Sequence, residues 1–494
     1  MKHQSLLGII FTLMLVLLSF GPLILMNVPA EWTPPTILSV GYQPHGLCVA
    51  DLDDNGHKDI VVANSFSDNV TVYFQELAGW QTAQTLTAAG EPEAVAVGDV
   101  TGDSNKDIVV VLKEDTEKKI AIFTGTGTGF VSPPAYKNCP QGPMHVAIGD
   151  LDGDVDEDIA VAETGGQVRI FYNQGGNLVN SKNLTTDSGT RKVVIADLEG
   201  TGTNDIIAIN EFRSNLTIWR RNGASWNGPE KLLTGQKPTG LAVADVMGDS
   251  NKDIVISNYN ENNVTVYEWE GAAWKAPYTL AVGFSPNDVF IADANGDGTK
   301  DIVTADLGVS TVTVIPNEGT GWGTKITENV GNDPYAVWVE DMNKDTKLDI
   351  ITTNSQDGTL SILYWVDNTP PVAYGIPDTF SIKEDTPSND TFIDLWYYFH
   401  DDETADNLLQ FSLVNGSDNI LIGQIKDDRY FTLQIGPNGE HWYGKRNFTV
   451  RCVDQKLDFV EDEFQVTVEP MNDKPDLVSL AGKDILSEEL LPTL

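Results

Sequence analysis

Residues Asp51 to Asp59 read Asp-Leu-Asp-Asp-Asn-Gly-His-Lys-Asp and run straight into the apolar stretch Ile60, Val61, Val62. Related loops return six more times, opening at Asp99, Asp150, Asp197, Asp245, Asp293 and Asp341, at intervals of 48, 51, 47, 48, 48 and 48 residues. A fixed period of this length constrains the fold strongly, because each unit must bury its apolar face against the next copy of itself. Within a unit an apolar strand such as 47–50 enters the loop and a second, such as 59–63, leaves it. A third, such as 70–74, follows a polar turn, and a weaker fourth follows a Gly-containing hairpin. Four strands per unit make one antiparallel blade. The chain is therefore expected to be all-β, with a seven-bladed propeller over residues 31–367.

A solenoid is the competing architecture, and it would show atypical units at its two ends rather than closure. Each hairpin before a fourth strand carries a bulky residue: Trp80, Phe130, Leu178, Trp226, Trp274 and Trp322, 19 or 20 residues before the next loop. The seventh unit has none, but Trp32 lies 19 residues before Asp51. The segment 32–40 is thus expected to supply the outer strand of the seventh blade and close the ring, leaving no unpaired edge.

The pattern Asp-x-Asp-x-Asn-Gly-x-x-Asp-Ile-Val, repeated seven times over residues 32–366, resembles the FG-GAP/VCBS repeats of integrin alpha-chain propellers and of many exported microbial proteins. The resemblance implies the propeller fold. For function it implies only a range, from adhesion and glycan binding to appendages of enzymes.

Oxygen-bearing side chains at positions 1, 3, 5 and 9, with glycine at 6, suit calcium, which takes six to eight hard oxygen ligands. The first loop offers Asp51, Asp53, Asn55 and Asp59, and the third Asp150, Asp152, Asp154 and Asp158. These are expected to bind best. The sixth offers Asp293, Asn295, Asp297 and Asp301; the seventh offers Asp341, Asn343, Asp345 and Asp349. The second keeps Asp99, Asp103 and Asp107 but has Thr101 at position 3, and the fifth keeps Asp245, Asp249 and Asp253 with Met247 there. The fourth, with Asp197, Glu199, Thr201 and Asp205, is the most degenerate and is expected to be weak or empty. Acidic turns without metal are the plainer alternative, but clustered carboxylates repel one another. No Glu stands at position 12 and no helical pattern flanks the loops, so these are not EF-hands. Several structural calcium ions tying the first two strands of each blade together are expected.

Metal loops on one face leave the opposite face for function. Six of the seven inner strands are approached through proline, at 44, 92, 143, 238, 286 and 334. The next residues, with the blade-four equivalent, are His45, Glu93, Met144, Arg191, Thr239, Asn287 and Tyr335. Seven unlike side chains around the axial mouth are either a ligand site, with His45, Glu93, Arg191, Asn287 and Tyr335 as candidates, or drift at a solvated rim. The neighbouring turns, 64–68, 114–118 and 258–262, are polar and suit carbohydrate or protein contact.

From Asn368 the period stops and about 100 residues of short alternating strands begin, including 380–382, 409–413, 430–434, 448–453 and 464–468. A β-sandwich over 368–475 is expected. Glu384-Asp385-Thr386, Ile393-Asp394-Leu395, Asp401-Asp402-Glu403, Val450-Arg451-Cys452-Val453-Asp454 and Asn472-Asp473-Lys474-Pro475 resemble the cadherin-like, immunoglobulin-type modules of exported proteins. Glu384, Asp402, Asp454 and Asp473 are either interdomain calcium ligands or solvated turn residues. Residues 476–494 look like the start of a further module or a disordered tail.

The apolar run 6–26 behind Lys2 and His3, ending near Val28-Pro29-Ala30, marks residues 1–30 as a signal peptide or an uncleaved membrane anchor. Export to the medium or the cell surface follows. A net charge of −41, from 72 acids and 31 bases, excludes nucleic acid as a partner, since phosphate is gripped by Lys and Arg. The same charge limits membrane contact to a possible N-terminal anchor. Cys48, Cys139 and Cys452 make no disulfide framework or zinc spacing. Seven Asn-x-Ser/Thr triplets, at 69, 183, 215, 263, 389, 415 and 447, fit an exported surface or simply a polar turn leading into a strand.

No nucleophile elbow, HExxH or phosphate-binding glycine loop is present. The expected function is a monomeric, non-catalytic, calcium-binding propeller protein for cell-surface adhesion or for recognition of an extracellular glycan or protein. The alternatives are a carbohydrate-active enzyme or its recognition subunit, or a purely structural envelope component.

Overall fold

The computed structural model describes residues 31–366 apart from 78, 89 and 114–117. Beyond that it describes 372–374, 376–377, 379–383, 389–395, 398–400, 409–415, 421–426, 430–435, 444–453, 459–469, 477–480 and 483–486. The apolar run 6–26, most of the polar turn 114–118, the tail after 486 and the acids Glu384, Asp402, Asp454 and Asp473 lie outside the described residues.

The chain divides into two compact units, one of them Ala30–Val366. Its described residues form seven four-stranded antiparallel sheets. The innermost strands are Pro44–Ala50, Pro92–Gly98, Pro143–Gly149, Thr190–Ala196, Pro238–Ala244, Pro286–Ala292 and Pro334–Glu340. Each packs against the inner strand of the next repeat, and the seventh packs against the first. The second strands, from Asp59–Asn64 to Asp349–Asn354, are buried over all six residues. They read as unbroken runs such as Ile60-Val61-Val62 because a neighbouring sheet covers each face; alternation is expected only where one face meets water.

The sheet of the seventh repeat takes its fourth strand from the other end of the unit. Thr36–Ser39 pairs with Thr359–Leu363, Thr36 opposite Ile362 and Ser39 opposite Thr359. Four residues upstream Trp32 pairs with Trp365, their rings edge-on at 5.2 Å. This is the place held elsewhere by Trp80 opposite Gln75, Leu178 opposite Asn173, and Trp226 opposite Arg221. Bridges pair Phe130, Trp274 and Trp322 in the same way.

The turn after the second strand has its own code. Asn64 Nδ2 donates to Asn69 Oδ1 and to Thr71 Oγ1, both at 2.8 Å. Asn210 repeats this with Asn215 and Thr217, and Asn258 with Asn263 and Thr265. Three of the Asn-x-Thr triplets are therefore held within hairpins, since each asparagine oxygen already accepts a bond from the strand before it.

The second unit contains a four-stranded sheet and a three-stranded sheet. In the first, Gly444–Val453 pairs with Phe459–Glu469 and with Gln410–Asn415, while Thr379–Lys383 lies parallel to Phe459–Glu469. The second comprises Asn389–Asp394, Tyr430–Ile435 and Leu421–Lys426. One core joins them, with Ile393 and Phe431 from one sheet meeting Phe448, Cys452 and Phe464 from the other.

Candidate functional site

In all seven inner strands the ladder slips just after the first residue. Pro44 pairs with Asn64 and Gly46 with Ala63, leaving His45 without a cross-strand partner. Glu93, Met144, Arg191, Thr239, Asn287 and Tyr335 are passed over in the same way. A bulge re-aims the extra residue, and here it turns one side chain per repeat toward the axis.

Five of these side chains meet. Arg191 Nη2 donates to Tyr335 Oη at 3.1 Å and to Asn287 Oδ1 at 3.3 Å, and Nη1 lies 3.5 Å from Glu211 Oε2. Tyr335 Oη donates to Glu93 Oε1 at 2.7 Å, while Glu93 Oε2 is 3.1 Å from His45 Nδ1 and 3.4 Å from Lys113 Nζ. Asn287 Nδ2 donates to the Tyr335 carbonyl at 2.7 Å, and the His45 and Tyr335 rings stack at 3.9 Å. The fourth and seventh inner strands stand three places apart in a set of seven, so an Arg191–Tyr335 bond crosses the axis. The mouth is spanned by a network. Each of these five side chains is hydrogen-bonded to another of the five.

The electrostatics follow. Burial alone would raise the Glu93 pKa, but His45, Lys113 and the Tyr335 hydroxyl hold it down to about 2. Burial works against the Arg191 charge too, and Tyr335, Glu211 and Glu93 more than offset it. Burial and Glu93 push the Tyr335 phenol up. Behind the network Lys192 pairs with Asp288. His145 is pushed down to about 3 by burial and by Lys192 and Arg191, and so stays neutral. Lys113, His145, Lys192, Glu211 and Asp288 were not singled out from the sequence. The signal for His145, Lys192 and Asp288 was their place directly after the bulged residues. A cavity of about 440 Å³ lies inward of these groups, walled by all seven inner strands.

At the opposite end of the inner strands, the seven acidic loops share one hydrogen-bond scheme. The ninth-position aspartate is buried and braces the loop to the third strand: Asp59 accepts from Leu52 N and Gln75 N, both at 2.8 Å. Asp349 accepts from Met342 N and Trp365 N at 2.9 and 2.8 Å. Asp107, Asp158, Asp205, Asp253 and Asp301 do the same. Burial pushes Asp59 and Asp158 up to about 6, and Asp301 and Asp349 up to about 7. The first aspartate accepts from the backbone N–H five residues on, as Asp51 does from Gly56 at 2.8 Å.

The loops differ in what is left over. In the first and third, oxygens of Asp51, Asp53 and Asp59, and of Asp150, Asp152 and Asp158, converge within 4.8 Å. In the sixth and seventh, Oδ1 of Asp293 and of Asp341 is buried without a donor, although the loop acids and amides Asn295–Asp297 and Asn343–Asp345 bond in pairs. An orphaned carboxylate oxygen in an all-oxygen donor set suits a hard divalent cation. In the second and fifth loops Oδ1 of Asp99 and of Asp245 is capped by two backbone N–H groups, those of Gly102 and Asp103 and of Gly248 and Asp249, as Asp150 Oδ1 in the third loop is by those of Asp152 and Gly153. Asp103 and Asp249 in turn accept from Asn105 N and Asn251 N, both at 2.9 Å. Asp154 in the third loop accepts from Asp156 N at 3.1 Å. Asn55 Oδ1 in the first loop accepts from His57 N at 2.6 Å.

Residues 51–110, 99–161, 150–208 and 245–304 each match the FG-GAP-like repeat family. Comparison with curated protein sequences finds no match. Among solved structures, the chain is similar to "BBS1N in complex with ARL6DN", at 13% identity and TM-score 0.50, over 68% of this chain and 97% of that one. It is also similar to a protein from Lactobacillus plantarum, at 13% identity and TM-score 0.46, over 60% and 89%. The chain carries FG-GAP-like repeats on an all-β fold of the propeller type.

Proposed function

We propose that this is an exported, calcium-braced, seven-bladed propeller followed by a cadherin-like sandwich. In this reading it recognises an extracellular glycan or protein at the cell surface without catalysis. One observation carries it: exposed aromatic rings stand on the turns at the proline end of the inner strands. Tyr42, Phe66, Phe212 and Phe284 are 72%, 73%, 69% and 62% exposed. Tyr42 and Phe284 each sit two residues before a proline, and Phe66 and Phe212 occupy one position in the turns of the first and fourth repeats. Rings of this kind stack on sugar faces or anchor protein interfaces. Because the mouth between them is occupied by its own network, the ligand lies across the face instead of entering the axis. Calcium in the first, third, sixth and seventh loops would stiffen the opposite end.

A glycan array and a screen of extracellular proteins, each run with calcium and with chelator, test the reading. Binding lost in Phe66→Ala and Phe212→Ala while the fold is retained is the expected result. Binding untouched by both variants, or product release from a bound polysaccharide, would overturn it.

A further inference from the structure

On the face that bears the exposed rings, the sixth, seventh and first repeats follow one another, because the seventh inner strand packs against both the sixth and the first. In the first repeat Phe66 N donates to the Tyr42 carbonyl at 3.2 Å, so two exposed rings stand on neighbouring backbone. In the sixth, Gly308 N donates to the Phe284 carbonyl at 2.9 Å, which brings that ring to the turn carrying exposed Val309. The seventh repeat, between them, is polar. Asn332 gives its backbone N–H to Asp357 Oδ2 at 2.7 Å and its Nδ2 to Asp357 Oδ1 at 2.9 Å. Ser310 of the sixth repeat donates to Asn332 Oδ1 at 3.3 Å and ties the two repeats together. In the first repeat Asp68 Oδ1 is pinned by Gly90 N and Glu91 N at 3.2 and 3.0 Å.

Charge on this stretch has one sign. Residues 40–44, 64–69, 282–286, 306–311, 330–334 and 354–359 include no Lys, Arg or His, while Asp68 and Asp357 are exposed and Asp333 is half-buried. Lys113, Lys118, Arg213 and Lys237 lie on the corresponding turns and approaches of the second, fourth and fifth repeats.

We propose that the stretch from the sixth repeat to the first binds a linear, uncharged oligosaccharide, a choice of ligand class that rests on the recognition proposed above. A sugar ring has apolar faces and a rim of hydroxyls. Phe284 at one end and Tyr42 with Phe66 at the other would take the faces. Asp357, held by Asn332, would accept from the rim between them. Carboxylates pinned by amide and backbone donors are directional acceptors for hydroxyls, and bonds to an ionised acceptor are the stronger kind. A uronate or sulfated chain would bring its charge against Asp68, Asp333 and Asp357 with no cation beside them, and like charges brought together are costly.

The test is calorimetric titration of the full chain. Cellohexaose, xylohexaose, mannohexaose and maltohexaose serve as uncharged probes, hexagalacturonate as the acidic one and a lysine decamer as the basic one. At least one uncharged hexasaccharide is expected to bind, with the uronate at least about tenfold weaker. Phe284→Ala and Tyr42→Ala should each weaken the uncharged sugar by about three- to tenfold, and Asp357→Ala by about tenfold or more. All three positions are exposed, and melting curves identify any variant that has lost its fold. Binding of none of the four sugars, equal affinity for the uronate, or unchanged affinity in folded Phe284→Ala and Tyr42→Ala would each overturn the proposal. So would binding of the lysine decamer in place of the sugars, lost in Phe284→Ala. A protein ligand lost in Phe66→Ala and Phe212→Ala, with no sugar bound, would leave the wider reading standing while this one falls.

Discussion

Arg220 Nε lies 3.0 Å from Glu199 Oε1, so the fourth acidic loop carries its own cation. The guanidinium also pairs with Glu230 and lies over the Trp269 ring at 5.4 Å. The loop with the poorest ligand set is thus the one whose third-position acid is already neutralised. Calcium titration is expected to give four ions, one fewer in Asp51→Asn, and an unchanged count in Arg220→Gln. Each occupied site should add about 2.7 kcal/mol at 100 times its dissociation constant. Chelation that leaves the melting temperature unmoved would sink the bracing role.

Val155 has φ of 78° and is 84% exposed. Gly56, Gly202 and Gly298 hold the same place in their loops, also with positive φ. A β-branched residue in left-handed backbone costs about 1–2 kcal/mol, so Val155→Gly should stabilise by about 1 kcal/mol in spite of glycine's greater chain entropy. Denaturant unfolding measures this, and a loss of stability would contradict it.

Asp306 stands where four other repeats have Asn64, Asn210, Asn258 and Asn354, and it accepts from the hydroxyls of Thr304, Thr311 and Thr313. Burial outweighs these bonds and pushes its pKa up to about 6. A raised folded-state pKa means that its contribution is full below the ordinary carboxylate range and is lost as pH rises through about 6. Asp306→Asn should therefore gain stability at pH 8, by at most about 3 kcal/mol, and little at pH 4. Melting temperatures of both proteins across that range decide the matter, and an equal shift at both ends would exclude the mechanism.

Glu93 works in the other direction. Held down to about 2, it stabilises the fold above the ordinary carboxylate range and loses that contribution only as pH falls through about 2. Glu93→Gln should cost roughly 3–5 kcal/mol at neutral pH, because Arg191, His45 and Lys113 lose a common anion. Tyr335→Phe, which removes one hydroxyl, should cost about 1–3 kcal/mol. A melting shift no larger for Glu93→Gln than for Tyr335→Phe would argue against a charge-based network.

The period, the loop spacing and the place of Trp32 were legible because each depends on residues counted along the chain. Glu93 and Tyr335 could be placed at one mouth from their spacing to proline, and Arg191 from its place in the period. That they bond together was not legible, since it depends on seven bulges that turn them inward. Similarly, Asp59 reads as a ninth-position ligand, but its bond to Gln75 N requires the third strand to return beside the loop. That the asparagine oxygens of the triplets at Asn69, Asn215 and Asn263 each accept from the strand before was likewise not legible, since it depends on the hairpin register.

The pairing of Thr36 with Ile362 also sets a timetable. During synthesis the first six sheets can assemble in turn, but the seventh waits for a segment made more than 300 residues earlier. Bringing together ends so distant along the chain carries the largest loop-closure entropy in the unit and makes this the slow contact to form. Until the ribosome has passed Leu363, Thr36–Ser39 has no strand to join, and the apolar face of the first sheet that the seventh covers, with Leu47 and Val49, stands open to any other chain nearby.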